Sequence, residues 1–207
     1  MKISKSYKIS RGFTLVELLT VIVVIAILST IGVQVGSKAI NQSRKMQSKV
    51  DVTNLCGAME GLKSDNNGVY PNITGETATV NVATDDSGLI LDGNGVAGNL
   101  VAALLGDDSA AALDINGRET VYFDAKQAQA DGSGGVDIAK TYSFTDYWGN
   151  AYQLIWDSNY DDQVENPLDS TEPPIRRGVI ALGKGTSEED LSDTMSSKNK
   201  LGVVTSW

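Results

Sequence analysis

The chain has 207 residues, a formal charge of −9 and no histidine, which removes Ser-His-Asp and Cys-His activation, His-ligated zinc and the commonest general base and so disfavours an enzyme. Its single cysteine, Cys56, excludes an intramolecular disulfide and a cysteine-based metal cluster. The charge is uneven: residues 1–12 hold Lys2, Lys5, Lys8 and Arg11 with no acid, so everything after Gly12 sums to −13, which argues against a general nucleic-acid partner.

Residues 13–35 form an apolar run of Leu, Val and Ile whose only charge is Glu17. As a helix it is long enough to cross a hydrocarbon core of about 30 Å. The basic arm before it places the N-terminus in the cytoplasm and the rest outside. A secretory signal peptide and a plain single-pass anchor are the competing readings. The run exceeds a signal h-region of roughly 7–15 residues, and no small-x-small cleavage site precedes residues 34–38. Only Glu17 argues against a plain anchor, because a carboxylate in an apolar span is costly and normally has a partner or a task. No basic residue lies one turn away within the span, so the partner is expected on another chain or at a new chain terminus.

Arg11-Gly12-Phe13-Thr14-Leu15-Val16-Glu17-Leu18 resembles the prepilin cleavage and methylation motif shared by type IV pilins and type II secretion pseudopilins. The resemblance implies that a membrane prepilin peptidase cuts between Gly12 and Phe13 and N-methylates the new Phe13 amine. It also implies that Glu17 pairs with that amine on a neighbouring subunit. A carboxylate and an ammonium buried together neutralise one another, whereas either alone in an apolar filament core is strongly unfavourable.

Beyond the run, Val50, Val52, Leu55, Met59 and Leu62 recur at helical spacing among polar residues. The anchor is therefore expected to continue as one helix from Phe13 to about Ser64, with residues 38–64 amphipathic. Gly32 and Gly36 either permit close helix contact or weaken the helix, and propensity favours weakening. The family usually carries a proline in this neighbourhood, and this chain has none before Pro71. Asp65-Asn66-Asn67-Gly68 stops the helix, and Pro71 prevents its resuming. Asn67-Gly68-Val69-Tyr70-Pro71 resembles the same region of the major pseudopilin of type II secretion systems.

Residues 72–99 read as an extended surface loop with one short strand at 77–82, residues 99–105 and 109–113 as short helical turns, and 126–135 as a flexible loop. Residues 141–144, 151–156 and 175–182 are β-prone runs separated by turn residues, which predicts a small antiparallel sheet whose inner face covers the helix. Asp146-Tyr147-Trp148-Gly149-Asn150-Ala151-Tyr152 resembles a turn and strand of major pseudopilins. Its own residues predict a structural role: Gly149 and Asn150 turn the chain while Trp148 and Tyr152 fill the core.

Residues 157–162 alternate oxygen ligands like the start of a calcium loop. Asp162 then stands where an EF-hand needs Gly and Leu168 where it needs Glu, so a solvated acidic turn is the better reading. Residues 187–193 lie where the resemblance places the pseudopilin calcium loop, and Glu189 and Asp190 match its paired acids. Lys184 and Gly185 stand where that pattern often has Asp-Gly, and the stretch from there to Trp207 is longer than in the family.

The expectation is an α+β, type IV pilin-like fold: leader peptide 1–12, transmembrane and filament-core helix 13–37, amphipathic continuation 38–64 and a periplasmic head 65–207 with a small sheet. The implied function is a processed, non-enzymatic subunit of a type II secretion-like pseudopilus that drives protein export. The alternative is a type IV pilus subunit for adhesion, motility or DNA uptake. Implied partners are the prepilin peptidase, further copies, minor pseudopilins, the inner-membrane assembly platform with its ATPase, and the membrane. No cofactor is required, with calcium as the one candidate ion.

Overall fold

The computed structural model describes residues 13–71, 86–187 and 202–207. The leader with Gly12, the strand expected at 77–82, and Glu189 and Asp190 lie outside the described residues. The chain divides into two units, Met1–Ser43 and Arg44–Trp207.

Helix α1 runs from Leu15 to Asp65. It begins two residues after Phe13 because Thr14 serves as its cap, the Thr14 hydroxyl accepting from the Glu17 backbone N–H at 3.2 Å. Helical structure continues through Gly32 and Gly36, so the expected weakening does not interrupt it. A glycine costs about 1 kcal/mol relative to alanine, and no proline removes a ladder hydrogen bond. The end is a turn in which Gly68 donates its N–H to Lys63 O at 2.9 Å, with Asn67 and Gly68 both at positive φ.

In the second unit a four-stranded antiparallel sheet has the order β1 (Ser87–Ile90), β4 (Gln153–Trp156), β5 (Val179–Gly183), β6 (Val204–Thr205). Leu89 faces Leu154, Ile155 faces Ile180, and Gly183 faces Val204. A separate two-stranded ribbon pairs β2 (Gly135–Asp137) with β3 (Ser143–Thr145). Helices α2 (Gly95–Leu104) and α3 (Ala110–Leu113) lie between β1 and β2 in the chain.

The strand period of two decides which residues meet α1. Leu154, Trp156, Val179 and Ala181 share a buried cluster with Val52, Leu55, Met59 and Leu62 of the helix and Leu100 and Leu104 of α2. Ile155, Ile180 and Leu182 belong to a second cluster with Val164, Leu168 and Val203. The sheet is thus covered on both faces, and its inner face meets the helix as the β-prone runs predicted.

Four sequence expectations change. Val50 is 56% exposed, and Ser48 is buried instead, because the buried arc of the helix is set by the head rather than by hydropathy alone. The edge strand β1 falls where a surface loop was expected. Its signal is Gly88-Leu89-Ile90-Leu91 between turn residues, which places Leu89 and Leu91 in the core. Residues 126–135 are not a free loop. Ala128 and Val136 donate N–H groups to Val136 O and Lys126 O, both at 2.9 Å, and Gly134 and Gly135 are buried at positive φ. Trp148 is only half-buried and outside the core clusters, whereas Tyr152 is fully buried.

Candidate functional site

The start of α1 combines one carboxylate with an uninterrupted apolar surface. Each large apolar residue from Phe13 to Leu28 is exposed, Phe13 at 75% and Leu15 at 82%. Apolar residues surround this helix on all sides, which is expected only where lipid or other helices cover them. The helix is long and apolar enough to cross a membrane.

Glu17 has a local partner that the missing basic residue concealed. Its Oε2 accepts from the Thr14 backbone N–H at 2.9 Å and from the Thr14 hydroxyl at 2.7 Å, and Thr14 caps the Glu17 N–H in return. This reciprocal arrangement is a capping box, whose sequence signature, Thr-x-x-Glu ahead of an apolar run, was available in residues 14–17. The box holds the carboxylate at the helix N-terminus, one residue from Phe13, where the helix dipole favours negative charge. Both Thr14 groups are neutral, so the charge of Glu17 remains available to a cation.

In the head, three carboxylates on α1 each receive a tyrosine hydroxyl. Tyr152 donates to Asp51 at 3.1 Å, Tyr70 to Glu60 at 2.8 Å and Tyr122 to Asp65 at 2.8 Å. Burial, and then the Asp51 charge, push the Tyr152 hydroxyl well above the ordinary tyrosine range. Burial, and then the Glu60 contact, do the same to Tyr70. Burial raises Asp51 too, opposed by the Tyr152 hydrogen bond and by Lys126. Lys63 sits 4.4 Å from the Tyr70 ring centroid. Gly178 is required beside this contact, since a Cβ there would meet the Tyr70 hydroxyl at 2.6 Å. These contacts, spread over four turns, tie the helix to the segment before β4, to the loop that follows the helix and to the loop before β2.

The turn at 146–152 is organised by Asp146, which is fully buried. Its Oδ1 accepts from the Trp148 and Asn150 N–H groups, both at 2.9 Å, and its Oδ2 from the Gly185 N–H at 2.8 Å. Gly149 supplies the positive φ of the turn, and the Asn150 side chain donates to Gly185 O at 3.3 Å. Tyr152 packs on Phe144 with ring centroids 4.7 Å apart. Asp146 therefore ties the β3–β4 turn to Gly185, just beyond the end of β5.

The first acidic segment differs from a solvated turn at its leading residue. Asp157 is fully buried, and its carboxylate accepts backbone N–H groups from Tyr160, Asp161 and Asp162; only Asn159 to Asp162 are exposed. Among the described residues no group of three or more His, Cys, Asp or Glu side chains is placed to hold a metal ion. Cys56 lines a cavity of about 300 Å³ with Thr53, Gly57, Glu60, Arg177 and Ser206; burial raises its thiol, the wrong direction for a nucleophile.

The Prokaryotic N-terminal methylation motif matches residues 7–33, the stretch holding Gly12, Phe13, Thr14 and Glu17. No curated protein and no solved structure matches the chain. The motif is of the type IV prepilin kind and implies processing by a prepilin peptidase and assembly into filaments. The apolar helix behind it is consistent with membrane anchoring, and the long helix with a small antiparallel sheet has the α+β layout of pilin-like proteins.

Proposed function

We propose that this chain is a pseudopilin of a type II secretion-like machine. It is cut between Gly12 and Phe13, N-methylated at Phe13, stored in the inner membrane with its head in the periplasm, and polymerised into a periplasmic filament. The observation that carries this reading is the methylation motif at the head of a helix whose large apolar side chains from Phe13 to Leu28 are all exposed. Membrane-stored subunits keep that surface in lipid, and polymerisation transfers it to contact with other copies. A cytoplasmic ATPase and an inner-membrane platform supply the work of extraction. In the filament Glu17, held by Thr14 beside Phe13, meets the methylated amine of a neighbour and sets the axial register.

The head transmits the load through the three tyrosine–carboxylate pins. The choice of pseudopilus over pilus is supported by Asn67-Gly68-Val69-Tyr70-Pro71 and by the Asp146-to-Tyr152 turn, which resemble the major pseudopilin and are structural elements here. Calcium at Glu189 and Asp190 belongs to the same reading. It is supported by the resemblance of residues 187–193 to the calcium loop of pseudopilins.

The test is intact-mass and N-terminal analysis of the protein from host membranes, followed by imaging of sheared filaments. A mature chain starting at N-methylated Phe13 and recovered in filaments is the expected result. An uncut Met1 chain in a host with active prepilin peptidase would return the protein to the simple membrane anchors.

A further inference from the structure

The second half of α1 and the start of β5 enclose the cavity of about 300 Å³ beside Cys56, which the filament reading leaves unused. Its floor is neutral and buried, made by Cys56, Val179 and Ser206. The polar atoms there are already satisfied: Ser206 Oγ accepts from the Ala181 N–H at 2.9 Å, and Ser206 is hydrogen-bonded to the Cys56 thiol. A buried free cysteine behaves as a small hydrophobe, so this floor suits an apolar group. Glycine at position 57 keeps the space open, since a Cβ there would meet nothing within 4 Å.

The rim carries opposite charges, Glu60 from the helix and Arg177 from the segment just before β5. Gly178 lets Glu60 lie against the chain next to Arg177, because a Cβ on Gly178 would stand 3.0 Å from Glu60 Oε1. Both charges act on the Cys56 thiol, in opposite senses, so both face the cavity. Among the described residues neither is in an ion pair. The hydrogen bond that Glu60 accepts from the Tyr70 hydroxyl at 2.8 Å is neutral and leaves its charge uncompensated.

We propose that this cavity binds a small zwitterion with an apolar body, the chemistry of a free apolar α-amino acid, with its carboxylate on Arg177, its ammonium on Glu60 and its side chain against Cys56, Gly57 and Val179. A guanidinium fork matches a carboxylate. A simple anion would meet the repulsion of Glu60 and a simple cation that of Arg177; a ligand bearing both charges satisfies both walls. The volume lies at the small end of the roughly 300–1,000 Å³ of ligand pockets, which suits a ligand of amino-acid size. Occupancy joins α1 to the start of β5 and so stabilises the head by linkage. Phe13 and Glu17 take no part, so the site stands apart from the filament reading.

The experiment titrates the full chain in detergent with leucine by calorimetry, with leucinamide, which lacks the carboxylate, and isocaproate, which lacks the ammonium, as single-charge probes. Leucine should give a saturable heat and raise the melting temperature of the head. Each single-charge probe should bind about fivefold more weakly, the upper end for one exposed ion pair. Arg177→Gln should weaken leucine by the same factor and leave leucinamide unchanged, a pattern that a merely structural role for Arg177 does not produce. Gly57→Leu, which fills the cavity from the helix side, should abolish binding of all three probes with the near-ultraviolet circular dichroism of the head preserved. Absence of heat and of a melting shift with leucine, equal affinity for the three probes, or full leucine binding by a folded Gly57→Leu chain would each overturn the site. All readouts are made on unassembled protein, so such a failure leaves the filament reading standing.

Discussion

Replacing Tyr152 by Phe removes one hydroxyl and nothing else from the centre of the head. The ring keeps its packing on Phe144, so no cavity opens. What is lost is the hydrogen bond at 3.1 Å to Asp51, whose carboxylate is partly withdrawn from water and already raised by burial. A hydrogen bond to a charged group contributes about 1.5–3 kcal/mol; because Asp51 keeps partial access to solvent, the expected destabilisation is about 1–2 kcal/mol.

The pH dependence has a definite sign. A carboxylate whose folded pKa is raised contributes stability below its unfolded pKa, and that contribution is lost as pH rises through the folded value. Removing the hydroxyl raises Asp51 further. The deficit of Tyr152→Phe should therefore shrink as the pH falls through the raised folded pKa values of Asp51 and be smallest by about pH 4, the ordinary aspartate value. Urea unfolding of the detergent-solubilised protein, followed through the fluorescence of Trp148, Trp156 and Trp207, measures this directly. Asp51→Asn and the double variant complete a cycle with an expected coupling of about 1 kcal/mol. A Tyr152→Phe deficit within about 0.3 kcal/mol of zero, or one that grows on acidification, would refute the idea that this contact pins the helix.

Glu17→Gln should keep a hydrogen-bond acceptor for Thr14 yet abolish filament incorporation without preventing cleavage. Thr14→Ala, which removes the hydroxyl but not the charge, should still assemble; immunoblots of sheared filaments decide, and normal assembly by Glu17→Gln would exclude charge pairing. Tyr152 and Tyr70 are raised in the fold, so their contribution is complete below about pH 10 and is lost as pH climbs beyond it toward the folded values. Head unfolding should accordingly begin above about pH 10, and the onset should shift to higher pH in Tyr70→Phe; a head equally stable well above that pH would contradict the burial of these hydroxyls. If Glu189 and Asp190 hold calcium, chelation lowers the melting temperature of the wild type and has no effect on Glu189→Ala/Asp190→Ala, whereas identical melting with and without calcium would dismiss the ion.

The sequence by itself determined the long apolar helix, the methylation motif and the class of fold. Basic arm, Gly12, Phe13, isolated Glu17 and an unbroken apolar run are local features, each readable without knowing what the chain touches. The inward positions Val52, Leu55, Met59 and Leu62 were legible for the same reason, since a helix converts spacing directly into a face. The Thr14–Glu17 capping box is local too, a Thr-x-x-Glu ahead of an apolar run.

Only the tertiary structure decided the rest, because it depends on residues far apart in the chain. Val50 matches the apolar pattern and is exposed, while Ser48 is buried, since the head covers an arc that hydropathy alone does not define. Asp146 is a turn residue by sequence and becomes the tie to Gly185, 39 residues on. The three carboxylates of α1 look like solvated helix charges until Tyr152, Tyr70 and Tyr122 arrive, one of them from 101 residues away. A carboxylate's partner across a fold is set by how distant segments pack on a helix, and no local pattern records that.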